Sequence, residues 1–160
     1  MKITDKIVNL ETLLSRIEHW RKVGEKVVFT NGCFDILHVG HISIFNHCAS
    51  FGDRVIVGVN SDNSVKKLKG ETRPINNEND RALVLASLQN VDAVIVFEEE
   101  TPLNLITQIL PDILVKGGDY KLHEIVGTKE VIANGGNVEI VPLVAGKSTT
   151  AISEKLKTNN

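Results

Sequence analysis

His38 and His41 stand three residues apart in the stretch VVFTNGCFDILHVGH, residues 27–41, directly behind a turn that contains Asn31, Gly32 and Asp35. Two imidazoles at that spacing share one face of a helix once the helix has begun, and from there they can donate hydrogen bonds to the oxygens of an anion. Gly32 supplies either a positive φ or a backbone bare enough for a phosphate to approach closely, and Asp35 adds a carboxylate just before the histidines. Zinc is the competing chemistry, with Cys33, His38 and His41 as ligands. Zinc sites ordinarily bring a second ligand pair at short spacing, and none accompanies these three.

Two later segments carry similar potential. Lys116-Gly117-Gly118-Asp119-Tyr120 follows an apolar run, where paired glycines suit either close approach to a ligand or a structural hairpin. Gly146-Lys147-Ser148-Thr149-Thr150 resembles a P-loop only superficially. The Walker A pattern needs a glycine five positions before Gly146, where Val141 stands, and the fourteen residues after Gly146 leave no later strand for a Walker B aspartate. What remains is a set of hydroxyls and backbone N–H groups at a helix start, suited to phosphates and equally to a plain N-cap serine.

Elements must hold these residues in place. Leu10, Leu13, Leu14, Ile17 and Trp20 recur at helical spacing over 10–23, with Gly24 as the stop. Apolar runs at 26–30, 54–59, 92–97, 112–115 and 138–141 read as five strands, the second nearly continuous in apolar residues, as expected of a strand covered on both faces. Between and after them the pattern predicts helices at 40–50, from Asn76 onward with Asn76 or Asn77 as cap, from Thr101-Pro102 to Pro111, at 127–134, and from Ser148. The segment 63–75, rich in Lys66, Lys67, Lys69 and Arg73, reads as a loop, either solvated or a mobile basic arm beside an anion site. Parallel strands need crossovers, so the alternation predicts one doubly wound, Rossmann-like five-stranded parallel α/β domain spanning 1–160, with a core at about 26–157. No GxGxxG follows the first strand, which disfavours dinucleotide binding. Thr158-Asn159-Asn160 reads as a frayed end.

His38-Val39-Gly40-His41 fits the HxGH signature of the nucleotidylyltransferase superfamily, and the chain from about 10 to 157 resembles its ADP-heptose synthase branch, with Asn31-Gly32-Cys33-Phe34-Asp35, KGGDY at 116–120 and Ser148-Thr149-Thr150 in order. The resemblance implies joining D-glycero-β-D-manno-heptose 1-phosphate to ATP, a step in lipopolysaccharide core precursor synthesis. It implies catalysis by His38 and His41, with nucleotide contacts at Thr30, Asn31, Gly32, Cys33, Phe34, Gly40, Arg81, Lys116, Gly118, Asp119, Ser148, Thr149 and Thr150. Acceptor contacts fall to Asp35, Asn60, Lys69 and Arg73. Arg81, on spacing alone a surface arginine, is by resemblance one that reaches the nucleotide phosphates. Mg2+ would ride on the substrate phosphates rather than on protein ligands. Two rivals stand beside this: an alcohol-phosphate cytidylyltransferase, such as one acting on glycerol 3-phosphate, and a nucleotide-binding module without catalysis.

At 160 residues, 42% hydrophobic and 24% charged, the chain has the composition of one ordinary globular domain. A net charge of -2 argues against a broad nucleic-acid surface. Two cysteines, Cys33 and Cys48, are too few for a disulfide framework and suit a reducing cytoplasm. No leader-like apolar region opens the chain and no run of 18 apolar residues occurs, so neither export nor a membrane span is expected. The expected partners are small molecules, with a separate sugar kinase upstream and homo-oligomerisation left open.

Overall fold

The computed structural model describes residues 1–158. Val27, Val28 and Phe29 begin the central strand β1 (Val27–Gly32), flanked by β2 (Arg54–Asn60), β3 (Ala93–Phe97), β4 (Ile113–Gly117) and β5 (Asn137–Val141). All pairings are parallel, in the order β3-β2-β1-β4-β5. Alternation along β1 sends its side chains to two cores. Val27 and Phe29 pack with Leu13, Ile17 and Trp20 of α1 (Leu10–Lys22), Ile106 and Ile109 of α5 (Leu103–Ile109) and Val131 of α6 (Thr128–Ala133). Val28 faces Phe45 and Cys48 of α2 (Val39–Phe51) and Ala82 and Leu85 of α4 (Glu78–Ala86). Each fully buried Leu, Ile or Phe contributes about 1.5–3 kcal/mol, so burial on both faces is what keeps the sheet covered.

The chain winds outward from β1 through β2 to β3, then crosses back to build β4 and β5 on the other flank. The direction therefore switches between β1 and β4, and the crevice at their carboxyl ends is where an open sheet of this kind receives a ligand. Thr30, Asn31, Gly32, Lys116 and Gly117 all belong to that rim.

One expected element needs correction. The segment 63–75 is not one loop, because Asp62–Lys69 forms α3, capped by the Ser61 hydroxyl, which accepts from the Ser64 amide at 3.1 Å. Val65 and Ser64 anchor that helix inside, while its lysines face outward; it ends at Gly70, whose φ of 97° reverses the chain. Helix α2 begins at Val39, within the expected start, so His38 is its N-cap and not a residue of its first turn. Of the expected frayed end, Thr158 is the last residue of α7 (Thr149–Thr158), and Asn159 and Asn160 lie outside the described residues. Among the described residues no helix is long and apolar enough to cross a membrane.

Candidate active site

The turn after β1 is shaped by Phe34, held at φ 48° and buried. Its ring lies over Gly32, where any Cβ would sit 3.1 Å from the ring tip, so the glycine makes room for the aromatic wall. That ring meets the edge of His41 at 5.4 Å between centroids and leans on Phe45 at the same separation. His41 thus stands against an apolar support fixed in the core.

His38 and His41 are joined through the helix cap. The His38 Nδ1 accepts from the Gly40 amide at 3.1 Å, and the His41 Nδ1 accepts from the His38 amide at 3.3 Å. The two rings stack 3.9 Å apart with a tilt of 34°. An Nδ1 that accepts from an amide carries no proton, so both neutral rings hold theirs on Nε2, free to donate outward. Burial lowers the pKa of both; for His41, burial, then His38 and then Lys69 bring it to about 4. Gly40 is required for this geometry, since a Cβ there would lie 2.7 Å from the His38 Cε1 and 2.9 Å from its Nδ1.

Opposite the histidines, α7 begins. The Ser148 hydroxyl caps it, accepting from the Ala151 amide at 3.0 Å, and the Thr149 hydroxyl donates to the Ile36 carbonyl at 3.3 Å, tying this helix start to the turn after β1. A hollow of about 300 Å³ lies among His38, Gly40, His41, Lys69, Ser148, Thr149 and Thr150. It adjoins a second of about 150 Å³, lined by Thr30, Asn31, Gly32, Cys33, Phe34, Asp35, His41, Lys69, Lys116 and Thr149. Two helix N-termini, from helices of 13 and 10 residues, thus meet at one crevice with Lys69, Lys116 and Lys147. The half-buried Lys116 has a single side-chain hydrogen bond among the described residues, to the Asn31 carbonyl at a long 3.4 Å, and desolvation lowers its pKa. An ammonium so short of acceptors favours the arrival of an anion.

Five expected contact residues do not line either hollow. Arg81 is 2% exposed, and its guanidinium donates to the carbonyls of Asn76, Cys33 and Asn60 and to Asp62. In this conformation it braces the turn, the end of β2 and the start of α3 instead of reaching outward to phosphates. Asn60 is buried too, its side-chain amide donating to the Ser64 hydroxyl at 2.9 Å. Arg73 donates from Nε to Asp35 at 2.7 Å, while its Nη2 is buried without a partner. Gly118 is buried with φ 130° beneath the Tyr120 ring, and Asp119 is exposed beyond it. Asp35 does reach the hollow, but its carboxylate accepts from Arg73 and from the amides of Ile75 and Asn76, so it anchors the 73–76 loop.

Ile44, Gly117, Pro142, Leu143, Val144 and Lys147 complete the larger hollow without having been singled out by residue type. Gly117 carried a signal in the glycine pair, although its close neighbour proves to be Ile44, 2.5 Å from where a Cβ would lie. Among the described residues no three His, Cys, Asp or Glu side chains group as metal ligands. A further hollow of about 700 Å³, beside Leu103 and the stretch 122–133, has a mostly apolar lining that also includes His123, Lys129 and Glu130, and shares no residue with the two hollows at His38 and His41.

Comparison with known proteins agrees with this geometry. The cytidylyltransferase-like family model matches residues 29–155. The bifunctional protein HldE of Methylobacillus flagellatus is 50% identical over 152 residues, 95% of this chain and 31% of that protein. HldE of Haemophilus influenzae is 60% identical over 134 residues, 84% of this chain and 28% of that one. The chain therefore spans about a third of the length of these curated relatives. A lipopolysaccharide core biosynthesis protein of Thermoplasma volcanium superposes with a TM-score of 0.61 at 30% identity, covering 76% of this chain and 98% of that one. Pantoate-beta-alanine ligase of Francisella tularensis, at 19% identity and a TM-score of 0.62 over 93% of this chain and 72% of its own, shares the fold. With the family model spanning the sheet, the HVGH turn and the start of α7 alike, the chain belongs to the cytidylyltransferase-like family of nucleotidyltransferases.

Proposed function

We propose that this chain transfers the adenylyl group of ATP to D-glycero-β-D-manno-heptose 1-phosphate, giving ADP-heptose and pyrophosphate. One observation carries the reading. Two imidazoles with outward Nε2 donors, two helix N-termini and Lys69 and Lys116 converge on adjoining hollows at the switch point of the sheet. The relatives named for lipopolysaccharide core biosynthesis and HldE support the choice of acceptor.

A phosphate oxygen of the sugar attacks the α-phosphorus of ATP in line. A new P–O bond forms as the bond to the β-phosphate oxygen breaks, and that oxygen leaves with the electron pair as pyrophosphate. The nucleophile is already an anion near neutral pH, so no general base is required. The work falls on positioning and on the charge that builds in the transition state. His38 and His41 donate from Nε2 to the reacting phosphate, the N-terminus of α2 faces the same group, and Ser148, Thr149 and Thr150 receive the departing pyrophosphate. Lys69 and Lys116 offset the remaining charge. ATP would bring magnesium with it, and the metal would supply further neutralisation of phosphate charge. A cytoplasmic enzyme of this kind draws its substrate from a sugar kinase reaction.

The test is direct. Protein, ATP, magnesium and each anomer of heptose 1-phosphate are incubated together, and the nucleotide sugar is identified by mass alongside pyrophosphate release. A parallel arm supplies CTP with glycerol 3-phosphate. ADP-heptose from the β anomer is the expected product; CDP-glycerol instead, or ATP binding with no product from any acceptor, overturns the reading.

A further inference from the structure

Lys116 borders a third hollow, of about 190 Å³, whose lining includes no residue of α7. At its inner end stand Asn31 and Lys116, which also line the smaller catalytic hollow; its outer walls include Tyr120, Glu124, Pro102 and Ile125. We propose that this hollow receives the sugar of the acceptor, and that Tyr120 and Glu124 determine which sugar is accepted. The inference rests on the reading of the chain as a sugar 1-phosphate adenylyltransferase and extends it to residues outside the phosphate site.

The size and lining suit one monosaccharide. At roughly 30 Å³ per water, the space equals about six waters, enough for a single sugar ring and too little for a second one. A sugar presents hydroxyls around its rim and C–H groups on its faces. Pro102 and Ile125 offer apolar surface to the faces, and a carboxylate and a phenol offer partners to the hydroxyls. Both polar side chains are exposed, and each is oriented by one neighbour. The Tyr120 ring rests on Gly118, where a Cβ would come within 2.9 Å of the ring, so the glycine seats the tyrosine. Glu124 is oriented by the Lys121 amide, which donates to its Oε2 at 2.8 Å. Its Oε1 has no protein hydrogen bond among the described residues and remains available to a hydroxyl. The shared Lys116 sets the polarity of the acceptor: phosphate at the ammonium, ring beyond it.

Two conservative substitutions isolate the two contacts. Tyr120→Phe keeps the ring on Gly118 and removes only the hydroxyl; Glu124→Gln keeps an oxygen for the Lys121 amide and removes the charge. For the full chain, calorimetry gives the Kd of heptose 1-phosphate, and steady-state kinetics gives KM for each substrate. The same measurements are repeated with mannose 1-phosphate, which has the same ring and one carbon fewer. The expected result is that each variant raises Kd and KM for heptose 1-phosphate by about tenfold, the worth of one good hydrogen bond, with KM for ATP unchanged. Preference for heptose over mannose phosphate narrows in at least one variant. Sugar affinity equal to wild type in both variants overturns the subsite, as does a matched rise in both KM values. Wild-type protein that binds heptose 1-phosphate but forms no ADP-heptose overturns the catalytic reading alone, because the Kd values still decide the subsite. Wild-type protein that does not bind it overturns both.

Discussion

Replacing Gly40 by alanine separates the chemistry of the site from the stability of the fold. The added Cβ would sit 2.7 Å from the His38 Cε1 and 2.9 Å from its Nδ1. Carbon atoms rest at about 3.5–4.0 Å, so the imidazole must retreat by about 1 Å, giving up its bond to the residue 40 amide and its stacking on His41. A displacement of about 1 Å in a positioned group costs on the order of 10²-fold in rate. Stability responds differently. Alanine in place of a helical glycine gains up to about 1 kcal/mol, whereas losing the His38 cap costs about 0.5–2 kcal/mol. The two nearly cancel, so the melting transition should move little in either direction. Pyrophosphate release under saturating ATP and sugar phosphate, with a urea melt on the same sample, measures both. A folded Gly40→Ala protein with turnover within about threefold of wild type would refute the assignment of His38 as a positioned donor.

The other predictions concern protonation and bracing. His41 titrates near 4 against an ordinary 6.5, so the unfolded chain binds more protons between those values. The contribution of this residue to stability is therefore complete above 6.5 and lost as pH falls toward 4; an NMR titration of His41 near its ordinary 6.5 contradicts the neutral-donor role. Burial alone would raise the pKa of Asp35, but the amides of Asn76 and Ile75 together with Arg73 outweigh it and lower the value. The stability it lends is present above the ordinary carboxylate range and lost below it, so Asp35→Asn should weaken the protein at pH 7 by about 1–3 kcal/mol and flatten its acid dependence in urea melts. Arg81→Met leaves Asp62 and three carbonyls without their buried cation, and should cost about 3–5 kcal/mol in the same melts; a loss under 1 kcal/mol would contradict the brace.

The strands were legible because β-branched runs such as Val55-Ile56-Val57 have few other stable uses, and the capped helices because Asn77 and Pro102 mark their starts. Helix α3 was hidden by its own composition. Lysines at 66, 67 and 69 suggest a loop, while the Ser61 cap and the Gly70 stop, the two signals that define the helix, are separated by only one buried apolar side chain, Val65. The surface placement that spacing alone gives Arg81 fails for a related reason: sequence spacing gives no sign that four backbone and side-chain acceptors close around a guanidinium. The histidines were found by spacing, but their relation was not. They meet through a reciprocal cap, each Nδ1 held by an amide, rather than as neighbours on a completed helical turn. Phe34 was drawn into the site by resemblance, whereas its part as the wall behind His41 depends on a left-handed backbone that no single residue type dictates.

The neutrality of the two rings explains how the positive charge of the site is divided. A pair of imidazoles stacked at 3.9 Å cannot both be charged without strong repulsion, and burial opposes even one charge. In the proposed reaction, neutral rings would present fixed N–H donors that need no reorganisation as charge builds on the phosphate beside them. The formal charge rests instead on Lys69 and Lys116, with Lys147 in the larger hollow, beside the partial charges of the α2 and α7 N-termini. Lys69 sits on the last turn of α3, the helix whose start is fixed to Arg81 through Asp62, and Lys116 ends β4 beside β1. One lysine is thus carried by α3 and the other by the sheet, so in the proposed reaction the field over the phosphate would depend on the Arg81 brace even though that side chain does not line the hollow.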